Sequence, residues 1–326
     1  MRYIIRLLLA IVILFPAVSF AQVVHSDVAE TLRARVVKII SEQEVTIPGT
    51  DTRGLSQEIE LEVLSGVKEG QLVKAMNDFV KLEASDVVFV NHIVTIEGRE
   101  LWTVLEPDRR PALLFLVFLF VLSAIVLAGR HGLRAVIALA LSVLIILYGF
   151  LPSILSNTFS PLILSIVFGI IILSVSMIMT HGFGRETKVA LIGTTGGIIS
   201  AGLLASFAIP FIRLTGFETD ESVFLNFAQR GTLDMTSLLL GAVIIGMLGI
   251  LDDVSITQAE AVNQIDSANK DLSKRELWNK AYTVGKHHIG SLINTLSLAY
   301  IGASLPLMLL FSLSDTSPLN LINREV

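Results

Sequence analysis

Two regimes of hydrophobic patterning divide this chain. From about Val24 to Asp108 apolar and polar residues alternate in short runs, whereas beyond Pro111 the apolar residues merge into long uninterrupted stretches. Alternation at period two is the mark of a half-buried strand, seen most clearly in Glu58-Ile-Glu-Leu-Glu-Val63. Strands are predicted at Arg35–Ile40, Gln57–Leu64, Gln71–Lys74, Asp86–Val90 and Leu101–Val104. Turn signals separate them at Pro48-Gly49, Ser65-Gly66, Glu69-Gly70 and Glu97-Gly98. About five strands in so short a stretch predict a small all-β barrel or sandwich, with the five-stranded OB-like barrel as the first expectation. No aromatic cluster or metal-ligand set marks this domain, so a folded spacer is as good a reading of it as a ligand-binding module.

The apolar runs predict about six transmembrane helices, at Pro111–Leu127, Leu133–Leu151, Pro161–Met179, Val189–Ile212, Met235–Leu251 and Ile289–Phe311. At the N-terminus, Arg2 and Arg6 precede an apolar run that ends in Ser19-Phe20-Ala21, the pattern of a signal peptide cut after Ala21. The expected organisation is a signal peptide at 1–21, an extracytoplasmic β domain at 22–108 and a helical membrane domain at 109–326. An uncleaved first helix would give the same orientation. Basic residues agree with it: Arg130 and Arg134, Arg185 and Lys188, then Lys270, Lys274, Arg275, Lys280 and Lys286 fall in alternate connections, as the positive-inside rule requires. A membrane location follows, with the Val254–Lys286 segment in the cytoplasm. That segment reads as an amphipathic helix laid partly on the membrane through Leu272, Leu277, Trp278 and Tyr282.

Composition sharpens this picture. Of 326 residues 53% are hydrophobic and only 16% charged, and the mean hydropathy of +0.73 excludes an ordinary soluble domain. The net charge of -5 provides no basic field for nucleic acid. Cysteine is absent, which removes disulfides, thiol nucleophiles and Cys-based metal sites. Phosphate loops, zincin motifs and dinucleotide fingerprints are missing too, so neither an enzyme nor a cofactor is expected. Intramembrane aspartyl proteolysis needs acids on two different spans, and no second span carries one.

The candidate chemistry lies where the fifth apolar run meets two carboxylates, in Gly249-Ile-Leu-Asp252-Asp253-Val-Ser255-Ile-Thr257-Gln258-Ala-Glu260. Met235–Leu251 is about 17 residues, or roughly 25 Å, against a hydrocarbon core of about 30 Å. The acids therefore sit just inside a membrane boundary, or the helix continues through them, or it breaks. Ser255-Ile-Thr-Gln258 and Thr257-Gln-Ala-Glu260 both resemble capping boxes of a new helix, and broken helices beside a cavity bind ions and polar solutes. A solvated helix end is the alternative. In a continuous helix Asp253, Thr257, Glu260 and Gln264 share one face, and Asp252, Ser255, Ala259 and Asn263 another.

The fourth span adds Gly193-Thr194-Thr195-Gly196-Gly197, and the fifth Gly241, Gly246 and Gly249. Small faces of this kind serve close helix packing, or bring Thr194 and Thr195 to Asp252. His181 and His287-His288 lie at span ends, where a proton relay or cation site with the acids competes with plain solvation. No metal site is assigned.

Gly249-Ile-Leu-Asp-Asp-Val-Ser-Ile-Thr-Gln-Ala-Glu-Ala-Val262 and the run Gly285-Lys-His-His-Ile-Gly-Ser-Leu-Ile-Asn294 through Pro306 resemble the YibE/F-like bacterial multi-pass membrane proteins. The β region and Asp108-Arg-Arg-Pro111 are similar as well. The resemblance implies a multi-pass protein of the bacterial inner membrane, of uncharacterised role. In that family the position of His287 is more often acidic, and a further apolar helix follows the equivalent of Asn323-Arg-Glu325, so the resemblance implies a last span lacking here. The candidate solute- or ion-binding set is Asp252, Asp253, Thr257, Gln258 and Glu260, with Thr194, Thr195, His288 and Asn294. The expected function is a transporter or permease with its ionisable site at Asp252-Asp253. The alternative is a scaffold or sensor whose outer β domain binds a partner or envelope component. The bilayer is the expected surroundings, with a small solute or ion, a second copy or another membrane protein as partner.

Overall fold

The computed structural model describes residues 29–46, 53–78, 80–95, 99–217 and 219–313. The expected signal peptide, the Pro48-Gly49 and Glu97-Gly98 turns and the Asn323-Arg-Glu325 tail lie outside them. Two compact units divide near residue 122.

The first unit contains five strands, β1 (Ala29–Thr46), β2 (Arg53–Val63), β3 (Leu72–Asn77), β4 (Val87–Val94) and β5 (Glu100–Pro107), closed as a barrel in the order β1-β2-β3-β5-β4. The expected five-stranded barrel forms. Alternation explains its core: Gln57, Ile59, Leu61 and Val63 of β2 point inward between Glu58, Glu60 and Glu62. β1 is much longer than the predicted Arg35–Ile40 because one strand serves two partners, β4 through residues 29–35 and β2 through residues 34–46. Register shifts at Val36/Lys38 and Ile39/Ser41 bend it around the closing barrel. The buried Gln57 carbonyl accepts from Asn77 Nδ2 and from the Leu82 N–H, each at 2.9 Å, which pins the β3–β4 connection over the core. At the end of β5, Asp108 accepts from Arg33 Nη2 at 2.9 Å and from Arg110 Nε and Nη2 at 2.7 Å. The Arg110 guanidinium, more than Arg33, holds the Asp108 carboxyl well below the usual carboxylate range.

The helices are α1 (Arg110–Ile145), α2 (Leu151–Leu155), α3 (Pro161–His181), α4 (Arg185–Ile212), α5 (Asp220–Ala228), α6 (Met235–Ala268), α7 (Lys274–Ala303) and α8 (Leu305–Leu313). Among the described residues four segments are long and apolar enough to cross a membrane, or five if the bent pair α7–α8 is one span. Six were expected, and two departures account for the difference. Residues Arg110–Leu155 form one long apolar segment, within which Gly129 has φ 57 and ψ -130, a glycine-only conformation that stops the helix. A Cβ on Gly132 would collide with the Ala124 carbonyl, although eight residues of straight helix would hold the two about 12 Å apart. The chain therefore folds back at Gly129, between the two predicted runs. At the other end, α7 and α8 meet at 66°, where Pro306 at the start of α8 cannot continue the helix.

α6 is the helix on which α3, α4 and α7 all pack. Asp234 caps it, accepting from the Ser237 N–H at 3.0 Å. Gly241 lets α3 approach so closely that a Cβ there would strike Ser165 Oγ. Leu248 and Leu251 reach 3.1 Å from where Cβ atoms would stand on Gly169 and Gly197, so part of the small-residue pattern does serve packing. Gly193, Gly196, Gly246 and Gly249 have open space instead. The polar stretch is not a break: α6 runs 34 residues, roughly 51 Å, straight through Asp252 and Asp253 and through both apparent capping boxes. The true capping box is at Ser273 and Glu276, which starts α7 and closes an α6–α7 hairpin. Leu277, Trp278 and Tyr282 thus lie on the second arm of a hairpin rather than on an isolated surface helix.

Candidate functional site

The site is built from a periodicity. Leu240, Ile244, Leu248 and Ile256 of α6 follow one another at four-residue steps and all are buried, which is the row that faces α3 and α4. Asp252 occupies the step between Leu248 and Ile256. An apolar side chain would continue the row; a carboxylate interrupts it.

α3 answers that carboxylate with one hydroxyl. Ser176 Oγ donates to Asp252 Oδ2 at 3.0 Å. The other oxygen, Oδ1, is buried and has no hydrogen-bond partner. Ser176 lies four residues after Ile172 and seven after Gly169, both buried against the helix core, so its position on the inner face of α3 follows from helical spacing. Sequence reasoning missed Ser176 for want of a reason to look for a partner on the third span.

A second polar contact crosses the same pair of helices. His181 Nδ1, at the end of α3, lies 3.5 Å from Glu260 Oε1 on α6. Between the two contacts Met177, Ala190 and Ile256 form a small buried cluster. Seen from Asp252, then, the site has helix packing on the Leu248 side and an apolar plug on the Ile256 side, with an ionisable His–Glu pair beyond the plug. Such an arrangement holds a carboxylate out of bulk water with one acceptor oxygen left to be satisfied. Protonation, a cation or a donor group on a small solute would satisfy it.

The remaining candidates separate. Asp253 and Thr257 are exposed, one helical step around from Asp252. Gln258 is half-buried and donates from Nε2 to the Ala281 carbonyl of α7 at 2.9 Å, so it ties the hairpin together. Thr194 is buried but its hydroxyl bonds back to the Ala190 carbonyl of its own helix. Thr195 is half-buried beside it, His288 lines the space between α6 and α7, and Asn294 is exposed. Among the described residues no hydrogen bond or ion pair links Thr194, Thr195, His288 or Asn294 to Asp252, and no three His, Asp or Glu side chains gather closely enough to hold a metal ion.

A protein-family model described as YibE/F-like protein matches residues 116–326. The match covers the helices and leaves the barrel outside. No curated protein and no solved structure matches the chain.

Proposed function

We propose, for a chain that belongs to the YibE/F-like family, an integral membrane protein that passes a small solute or ion along the α3–α6 contact, with Asp252 as its ionisable group. The observation that carries this reading is the buried, unpartnered Asp252 Oδ1 set in an otherwise apolar row. An ionisable group held there is costly and persists where it serves a purpose. The His181–Glu260 pair lies further along the same helices, so a proton or cation leaving Asp252 meets a second titratable station at the helix ends.

In this reading the fold-back at Gly129 makes α1 two spans and the α7–α8 pair a bent last one, for six in all. The hairpin and the basic connections then face the cytoplasm of a bacterial inner membrane. No catalytic chemistry is assigned to the chain. The test is ion flux in sealed vesicles carrying the purified protein, followed with a pH-sensitive dye and with cation-sensitive dyes. Flux that disappears in Asp252→Asn, with the helical spectrum unchanged, supports the reading; wild-type vesicles no leakier than empty ones overturn it.

A second reading, a scaffold or sensor, draws on the barrel. Leu72 and Met76 on β3 and Leu101 and Leu105 on β5 are all exposed on neighbouring strands, around Lys74 and Thr103, a mixed apolar and polar face suited to a protein partner. Crosslinking through single cysteines on this face would capture that partner, and function surviving Asp252→Asn but lost with the barrel would favour this reading.

A further inference from the structure

The α6–α7 hairpin encloses a groove of about 520 Å³ that plays no part in the Asp252 site. Its floor is set by Gln258, whose amide bonds Ala281 and fills the space above Gly285. Its walls are apolar, with Val254 and Val262 on one arm facing Leu277 and Ile289 on the other. Trp278 and Tyr282 stand at the rim, 70% and 62% exposed. The charged groups that line it are Lys274 and Lys286, with His288 beside them, and no acid lines it. Among the described residues neither lysine has an ion-pair partner, and Glu276, the nearest acid in sequence to Lys274, is engaged in capping α7 through Ser273.

We infer that this groove binds an anionic phospholipid of the leaflet on the hairpin's side. The inference rests on the reading of the chain as a membrane-spanning protein. With α6 capped at Asp234 on one face, about 30 Å of hydrocarbon ends near Val254. Val254 to Val262, the α6 wall of the groove, covers roughly the next 12 Å, which contains the headgroup layer. Tyr282, exposed at that depth, is an interfacial anchor, and Trp278 follows one turn further out. Lys286, at the membrane end of the groove, supplies the charge that a phosphate headgroup lacks; Lys274 stands twelve residues, about 18 Å, further out along α7 and adds to the positive field, while Ile289, at the start of the last apolar run, leads the acyl chains into the bilayer. A neutral lipid would leave Lys286 unanswered.

The experiment uses the full chain with Trp102→Phe, which leaves Trp278 as the sole tryptophan. The protein is reconstituted in phosphatidylcholine vesicles containing, at equal mole fraction, brominated phosphatidylglycerol or brominated phosphatidylcholine, and quenching of Trp278 is titrated. The expected result is a preference for the brominated anionic lipid of at least roughly fivefold, the share one interfacial lysine contributes. It is lost in Lys274→Gln with Lys286→Gln and kept in Lys274→Arg with Lys286→Arg. Equal quenching by the two lipids, or a preference that survives the glutamine pair, overturns the lipid site and leaves the spanning reading intact. No quenching by either lipid overturns the lipid site as well.

Discussion

Ser176 Oγ and Asp252 Oδ2 stand 3.0 Å apart across the α3–α6 contact, and this hydroxyl is the hydrogen-bond partner the structure gives that carboxylate. The geometry separates a cost in stability from a functional role. Asp252→Leu completes the apolar row and removes an unpartnered acceptor, so it is expected to leave the bundle as stable as before or stabilise it by about 1 kcal/mol or more while ending flux. Ser176→Ala strips the carboxylate of its partner and is expected to cost about 1–3 kcal/mol. Thermal unfolding in detergent, followed by circular dichroism, reads both; a strongly destabilised Asp252→Leu would mean that the acid is a structural element rather than a site.

The close approach of α3 to α6 depends on the absence of a side chain at Gly241. Gly241→Ala places a Cβ against Ser165 Oγ and the helices must part, at about 1–3 kcal/mol. Ser165→Ala in the same chain removes the obstructing hydroxyl and should restore part of the loss. If the two changes are simply additive in denaturant unfolding, the contact is not the cause.

Acid should loosen the barrel through Asp108. Its pKa is lowered in the fold, by Arg110 first, so the stabilisation is fully present above the unfolded value of about 3.9 and is lost as pH falls toward the lower folded value. Barrel stability is therefore expected to be flat from neutrality to about pH 5 and to decline below about pH 4. Trp102 fluorescence in a Trp278→Phe chain reports it. Asp108→Asn should be less stable at neutral pH and show a shallower acid decline; an unchanged pH slope would remove Asp108 from the account.

The fold-back at Gly129 makes a topological prediction. Single cysteines at Arg130 and at Asn157 should label with an impermeant thiol reagent from opposite sides of the membrane, which the cysteine-free background makes clean. Labelling of both from the same side would mean that Arg110–Leu155 does not contain two spans. Gly129→Val should add strain of about 1–3 kcal/mol at the positive φ.

Much of this protein is determined by pattern alone. Period-two alternation marks β2 most clearly, because a half-buried strand has only two faces; short β-branched runs between turn signals mark the other strands, and the long apolar runs mark the helices, because every backbone group in them must be satisfied internally. The sequence also singles out the region of Asp252. What it leaves equal are the two acids, the threonines and the histidine, since helical spacing says which residues share a face but not which face meets another helix. α3 and α4, packed on one side of α6, place Asp252 in the buried row and turn Asp253 outward. The same packing carries α6 past two good capping sequences, because a local cap worth about 1 kcal/mol loses to a helix that is buried on one side and braced by α7 beyond. Ser176, Gln258 and Gly241 take their roles from partners far away in the chain, and only the tertiary structure supplies those partners.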